Sequence, residues 1–187
     1  MLAAALESSD SILYRVDADL RILTVSDGYR RFAEHNAPLG FLARWGEGCD
    51  VLGAIDDPQR DFYHRMYRHA LEGHIAENDY ECHGLRRWRL FRMRIISLEP
   101  GEGCLVEHAQ IIDRELVGAL DLDPEEIRDR YQDEFGVIMQ CASCRKTHLA
   151  RGWDRWDWVS DLVAQPWPNV RYRTCPTCIA HLRAPLR

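Results

Sequence analysis

Two cysteine knuckles constrain this chain more than any other feature. QCASCRK at 140–146 and CPTC at 175–178 set Cys141, Cys144, Cys175 and Cys178 in the pattern C-x2-C-x30-C-x2-C. Each knuckle can offer two thiolates to one ion, and two knuckles complete a tetrahedron, the donor set of a structural Zn2+. Seven cysteines cannot all pair internally, and a reducing compartment would disfavour structural disulfides in any case. Cys49, Cys82 and Cys104 stand apart from one another and read as buried small hydrophobes. A redox sensor using the CxxC pairs is an alternative, although thioredoxin-type chemistry uses a single CxxC at a helix start within a larger α/β fold. His148 and His181 read as surface histidines rather than as substitute ligands.

A chain of 187 residues can bury one ordinary core plus a small module that needs a staple. Charge marks the boundary. Residues 141–187 carry eight Lys/Arg against three Asp/Glu, a net +5, which leaves −11 for residues 1–140 within the overall −6. No run approaches the roughly twenty apolar residues of a membrane span, and MLAAALESSD lacks the basic start and length of a signal peptide. The expectation is a soluble, cytoplasmic chain with no membrane contact.

The N-terminal part alternates extended and helical patterns. Ile12–Val16 and Arg21–Val25 flank the turn formers Asp17 and Asp19 and read as a hairpin. DGYRRFAEHN reads as a helix. A second helix follows, with Asp57 as N-cap, Pro58 at the first position, Phe62, Met66 and Ala70 at helical spacing, and Gly73 as terminator. The period then becomes extended in IAENDYECH, RRWRLFRMRIISL and CLVEHAQII, the last two joined by EPGEG. The fold class expected is α+β, a five-stranded antiparallel sheet with helices on one face. The arginine run Arg86, Arg87, Arg89, Arg92 and Arg94 alternates with apolar residues and reads as the exposed face of a half-buried sheet.

This order, over residues 9–113, resembles the PAS fold. Tyr80, Cys82, His83, Arg89, Phe91, Met93, Arg94 and His108 fall at positions similar to the closing strands of bacterial sensory PAS domains, with Leu90 where tryptophan is usual. The C-terminal part resembles a four-cysteine module that follows PAS or receiver domains in bacterial signalling proteins, with Cys141, Cys144, Lys146, Gly152, Trp153, Cys175, Pro176 and Cys178 matching. Arg173 and Thr174 stand where those relatives often carry histidine and glycine. The resulting division is a PAS-like sensory domain at 1–113, an acidic helical connector at 114–135 and a zinc-binding module at 136–187. In the connector, Asp123 caps a helix opened by Pro124, Glu125 and Glu126, read as a solvated linker. Between the knuckles, Trp153, Trp156, Trp158, Val159, Leu162 and Val163 have a mostly helical spacing that ends before Pro166 and Pro168.

The PAS resemblance implies a pocket between sheet and helices. Phe32, Tyr63, Met66, Phe91 and Met93 are its candidate lining, and each also serves as ordinary core. Flavin photochemistry is not expected, because the asparagine-cysteine-arginine-phenylalanine motif is absent. Haem ligation would fall to His64, His69 or His83, which read instead as surface or hydrogen-bonded histidines. His64, His69 and His74 recur every five residues, a spacing that does not align on one helix face. No Gly-rich phosphate loop, nucleophile elbow or metalloprotease histidine pair occurs. The chain is therefore expected to be a non-enzymatic sensor or adaptor that binds a small molecule or a signalling partner protein. It is also expected to be a homodimer, with LAAAL as a candidate packing helix. A nucleic-acid-binding zinc ribbon is the alternative, carried by Arg171, Arg173, Arg183 and Arg187.

Overall fold

The computed structural model describes residues 6–36, 41–53, 55, 59–84, 86–99, 101–151, 154–164 and 167–184. The expectations for Asp57, Pro58, Gly152, Trp153, Pro166, Arg187 and all of LAAAL but its last residue, the buried Leu6, lie outside the described residues. The chain divides into two compact units. Met1–Asp79, Phe91–Gln110 and Ala184–Arg187 make one, and Tyr80–Leu90 with Ile111–Arg183 make the other.

A five-stranded antiparallel sheet is built from β1 (Ile12–Val16), β2 (Ile22–Val25), β3 (Ile75–Glu81), β4 (Arg87–Ser97) and β5 (Cys104–Glu115), in the order β2-β1-β5-β4-β3. β1 pairs antiparallel with both β2 and β5, and a register shift between Arg15 and Val16 bends the first hairpin. Three helices fall between β2 and β3: α1 (Asp27–Asn36), α2 (Phe41–Trp45) and α3 (Gln59–Leu71). The architecture is α+β with a PAS-like strand order, as expected from the sequence.

Strand alternation decides which residues build the core. In β4, Arg89, Phe91, Met93 and Ile95 turn inward and are buried. Arg89 thus departs from the expected exposed face, and its Nε donates to the Cys82 carbonyl at 3.0 Å. The outward arginines are paired: Arg92 holds Asp79 with two bonds of 2.8 and 2.9 Å, Arg94 holds Glu77, and Arg87 holds Asp113 at 2.8 Å. In α3 the expected inward residues Phe62, Met66 and Ala70 are buried. Tyr14 and Tyr67, both buried, share a hydroxyl hydrogen bond of 2.8 Å, which keeps two phenols satisfied without water. Among the described residues, no helix is long and apolar enough to cross a membrane.

The β4–β5 turn requires two glycines for different reasons. Gly101 and Gly103 both have positive φ, +86° and +85°. A Cβ on Gly101 would meet nothing, whereas one on Gly103 would lie 2.0 Å from the Val16 carbonyl oxygen. Gly101→Ala is therefore expected to lose about 1 kcal/mol through its backbone conformation alone. Gly103→Ala should lose about 3 kcal/mol or more, because strand backbone must also move. Equal unfolding midpoints in urea for the two variants would contradict this close packing.

His108 on β5 stacks on the Tyr14 ring, centroids 5.6 Å apart, and burial pushes its imidazole down to about 4. The fold keeps it neutral while the unfolded chain takes up a proton near pH 6.5, so its contribution is full above that pH and disappears as pH falls towards 4. Replacing it by glutamine should remove up to about 3 kcal/mol of this acid sensitivity. Chemical denaturation of wild type and His108→Gln at pH 7 and pH 4.5 reads the difference.

Candidate metal centre

The second unit contains a four-stranded sheet, β8-β7-β6-β9, made of β6 (Ile138–Cys141), β7 (Thr147–His148), β8 (Trp156–Asp157) and β9 (Val170–Arg173). β6 ends on Cys141. The chain then turns tightly: Arg145 adopts φ +62°, the Cys141 N–H donates to the Lys146 carbonyl at 2.7 Å, and β7 returns antiparallel with Thr147 opposite Gln140. That turn is the first knuckle. β9 runs parallel to β6, with Cys141 opposite Arg173, and delivers the second knuckle beside the first. Cys175 is the N-cap of α6 (Pro176–Leu182), Pro176 takes the first helical position where no N–H is needed, and Cys178 lies on the first turn.

The four sulfur atoms lie within 4.8 Å of one another. Cys144 Sγ and Cys175 Sγ are 3.8 Å apart, which matches the edge of about 3.8 Å in a tetrahedron with metal–sulfur bonds of about 2.3 Å. All four are free thiols, and Cys141, Cys144 and Cys175 are buried while Cys178 is half-buried. Hydrogen bonds from the Cys144 and Cys178 thiols lower the Cys141 thiol far below its usual range, and the Cys175 backbone N–H, 3.4 Å from its sulfur, adds to the effect against burial. Hydrogen bonds to Cys141 and Cys178 raise Cys144, and the Cys141 hydrogen bond with burial raises Cys178 to about 12 against the opposing bond to Cys144. Without a cation the cluster thus favours a thiolate at Cys141 and opposes one at Cys144 and Cys178. A bound dication reverses this preference, and the donor set can hold a metal ion.

Trp156 packs against the cysteines, and Trp158 secures the knuckle from outside it. The Trp158 indole N–H donates to the Cys144 carbonyl at 3.0 Å, the Lys146 ammonium sits 4.5 Å from its ring centroid, and the His83 ring meets it edge-on at 5.2 Å. His83 is buried and bonds Glu81 at 2.9 Å. Burial opposes ionisation of Glu81, but the His83 and Trp88 hydrogen bonds and the Lys146 charge prevail and lower it. The helix expected from Trp153 onwards is much shorter than its apolar spacing suggested: β8 is extended, Val159 forms a lone bridge with Leu120, and only Ser160–Ala164 coils, as α5. Asp157 explains the extension, since pairing with β7 points its carboxylate at the Tyr131 hydroxyl, 2.9 Å away. Nothing in the sequence spacing marked Trp158 as a partner of Cys144, because strand and helix periods compete there.

The connector helix α4 (Pro124–Tyr131) has the predicted cap. Asp123 accepts from the Glu125 and Glu126 N–H groups, and Glu126 accepts from the Asp123 N–H in return. It is not a solvated linker, however. Ile127 and Tyr131 are buried with Ile138, Val159 and Leu162 in one apolar cluster. His148 is half-buried and lies 3.6 Å from Asp154, and His181 is exposed, so neither joins the sulfur cluster.

In the first unit, Met66, Phe91 and Met93 are buried, while Phe32 and Tyr63 are half-buried. Phe32 and Phe91 meet edge-to-face at 5.5 Å, and Tyr63 packs on Phe62 at 5.3 Å.

The chain matches no family model and no curated protein. Among solved structures it is similar to a domain described as that of a light and redox sensing histidine kinase from Haloarcula marismortui. That likeness has 20% identity, covers 59% of this chain and 97% of that one, and has a TM-score of 0.35.

The Trp158 contacts generate a test. Trp158→Phe keeps the ring but loses the hydrogen bond to Cys144, and metal should then pass to a chelating dye roughly tenfold faster than from wild type. An unchanged transfer rate would show that this tryptophan does not secure the knuckle.

Proposed function

We propose that this chain is a non-enzymatic signal-sensing or adaptor protein, in which a PAS-like domain at 1–113 acts with a module at 136–187 held by structural Zn2+. The convergence of Cys141, Cys144, Cys175 and Cys178 carries the reading, because four thiolates at tetrahedral spacing suit zinc and leave no open position for catalysis. The PAS-like strand order supports the sensory half. A small ligand would enter among Phe32, Tyr63, Met66, Phe91 and Met93, and a signalling partner protein would read the state of the homodimer. Residues 114–135 connect the two parts, and the compartment proposed is the cytoplasm.

A nucleic-acid reading is second, favoured by one observation. Tyr172 is 48% exposed on the edge strand β9 between exposed Arg171 and Arg173, with the Arg145 guanidinium 5.4 Å from its ring centroid. An exposed aromatic ring with a cation beside it can stack a base.

Elemental analysis of protein purified without chelators is expected to give about one zinc per chain. Cys175→Ser should release it and unfold the module at 136–187, followed by the fluorescence of its tryptophans, while the domain at 1–113 keeps its cooperative transition. Loss of both units together would sink the two-part reading, and absence of metal would turn the four thiols over to redox chemistry. A salt-dependent shift with labelled DNA or RNA would favour the second reading.

A further inference from the structure

The histidines expected to lie on different helix faces are brought together at the end of α3. The helix stops at Leu71, and Gly73, at φ +96°, reverses the chain. The Gly73 N–H donates to the Ala70 carbonyl at 2.8 Å and the His74 N–H to the His69 carbonyl at 3.4 Å. This glycine-dependent stop folds the residue after the helix back over its last turn. The His69 and His74 rings consequently stack, with centroids 4.4 Å apart and planes 14° from parallel. Glu72 is the first residue after the helix, three positions after His69.

One ligand atom from each of His69, Glu72 and His74 lies within 4.8 Å of the others. His69 is half-buried, and Glu72 and His74 are exposed. The carboxylate's other contact is Arg68 at 3.9 Å, between two side chains each more than 60% exposed, an interaction weak enough for a cation to displace. The C-terminal carbonyls of α3 add negative potential at the same place. Two imidazoles and one carboxylate suit the borderline divalent ions Zn2+, Ni2+ and Cu2+. Nearly parallel rings 4.4 Å apart bring a nitrogen of each histidine within 4.8 Å of the other. Three protein ligands leave the fourth position to water or to a partner's donor group, unlike the closed four-thiolate set.

We propose that His69, Glu72 and His74 form a second, open binding site for a divalent transition-metal ion, independent of the cysteine centre. His64 is exposed and does not belong to the cluster, so it provides the control.

The test uses full-length protein without a histidine tag, saturated with Zn2+ at its tightest site and then titrated with further Zn2+ in a calorimeter. Wild type and His64→Ala are expected to take up about one ion per chain more than a variant carrying both His69→Ala and His74→Ala. Glu72→Gln should weaken this uptake without abolishing it. Equal uptake by wild type and the double variant would overturn the proposal, as would an equal loss in His64→Ala, which would mark diffuse binding to surface imidazoles. The readout is a difference between proteins with identical cysteines. A failure of the zinc reading at the knuckles would therefore change every curve alike and leave that difference intact. Unchanged thermal midpoints confirm that the surface substitutions leave the fold in place.

Discussion

The parallel pairing of β9 with β6 is the constraint on which the second unit depends. Four residues on each side, from Ile138 opposite Val170 to Cys141 opposite Arg173, hold together two segments about thirty residues apart in sequence. Parallel ladders require a long crossover, and here the crossover contains β7, β8 and α5. The pairing also fixes direction, so both strands run towards the same end of the sheet and each discharges its knuckle there. The Ala142 N–H donates to the Arg173 carbonyl at 3.1 Å, extending the ladder one step past the strands and fixing the first knuckle against the entry to the second. The sulfur cluster follows from this backbone arrangement rather than from attraction between thiols.

Much of this was legible because its signals are local. The Asp123, Pro124 and Glu126 cap, the Gly73 stop and the alternation of β3 to β5 each depend on neighbours a few residues away. The clustering of the four cysteines was legible for a different reason, since the CxxC spacing carries its own geometry wherever the chain places it. The illegible parts depend on long-range partners. Trp156 and Trp158 fit a helix by spacing, yet strand pairing with β7 and the Tyr131 hydroxyl draw the segment out. Arg89 looked like its neighbouring arginines, but the period of two places it with Phe91, Met93 and Ile95, and the Cys82 carbonyl satisfies it there. His69 and His74 escaped a helical-face argument because the helix no longer exists at residue 74.

Electrostatics separates the two basic regions of the chain. The β4 arginines that project outward are matched to carboxylates, Asp79, Glu77 and Asp113. Exposed pairs of this kind add little stability each, but they neutralise the face and make it a poor phosphate track. On β9, by contrast, Arg171 and Arg173 flank an exposed tyrosine at the open edge of a short sheet. Two of the eight basic residues of 141–187 thus lie exposed on this edge strand.

The apolar cluster and the sulfur cluster of the second unit share one strand. Ile138 at the start of β6 packs with Ile127, Tyr131, Val159 and Leu162, and Cys141 at its end packs with Cys144 and Cys175. Between them, Gln140 is buried and its amide donates to the Leu162 carbonyl at 2.7 Å, tying the strand to α5. Movement of β6 therefore disturbs both clusters and breaks a buried hydrogen bond whose partners would be left without water. The apolar cluster alone is small for so many ordered residues, so a metal bound at the thiols would also stabilise, through four residues of backbone, packing that it does not touch. For this reason α4, capped and charged on its outer surface but anchored by Ile127 and Tyr131, belongs with the packing around β6 rather than with a free linker.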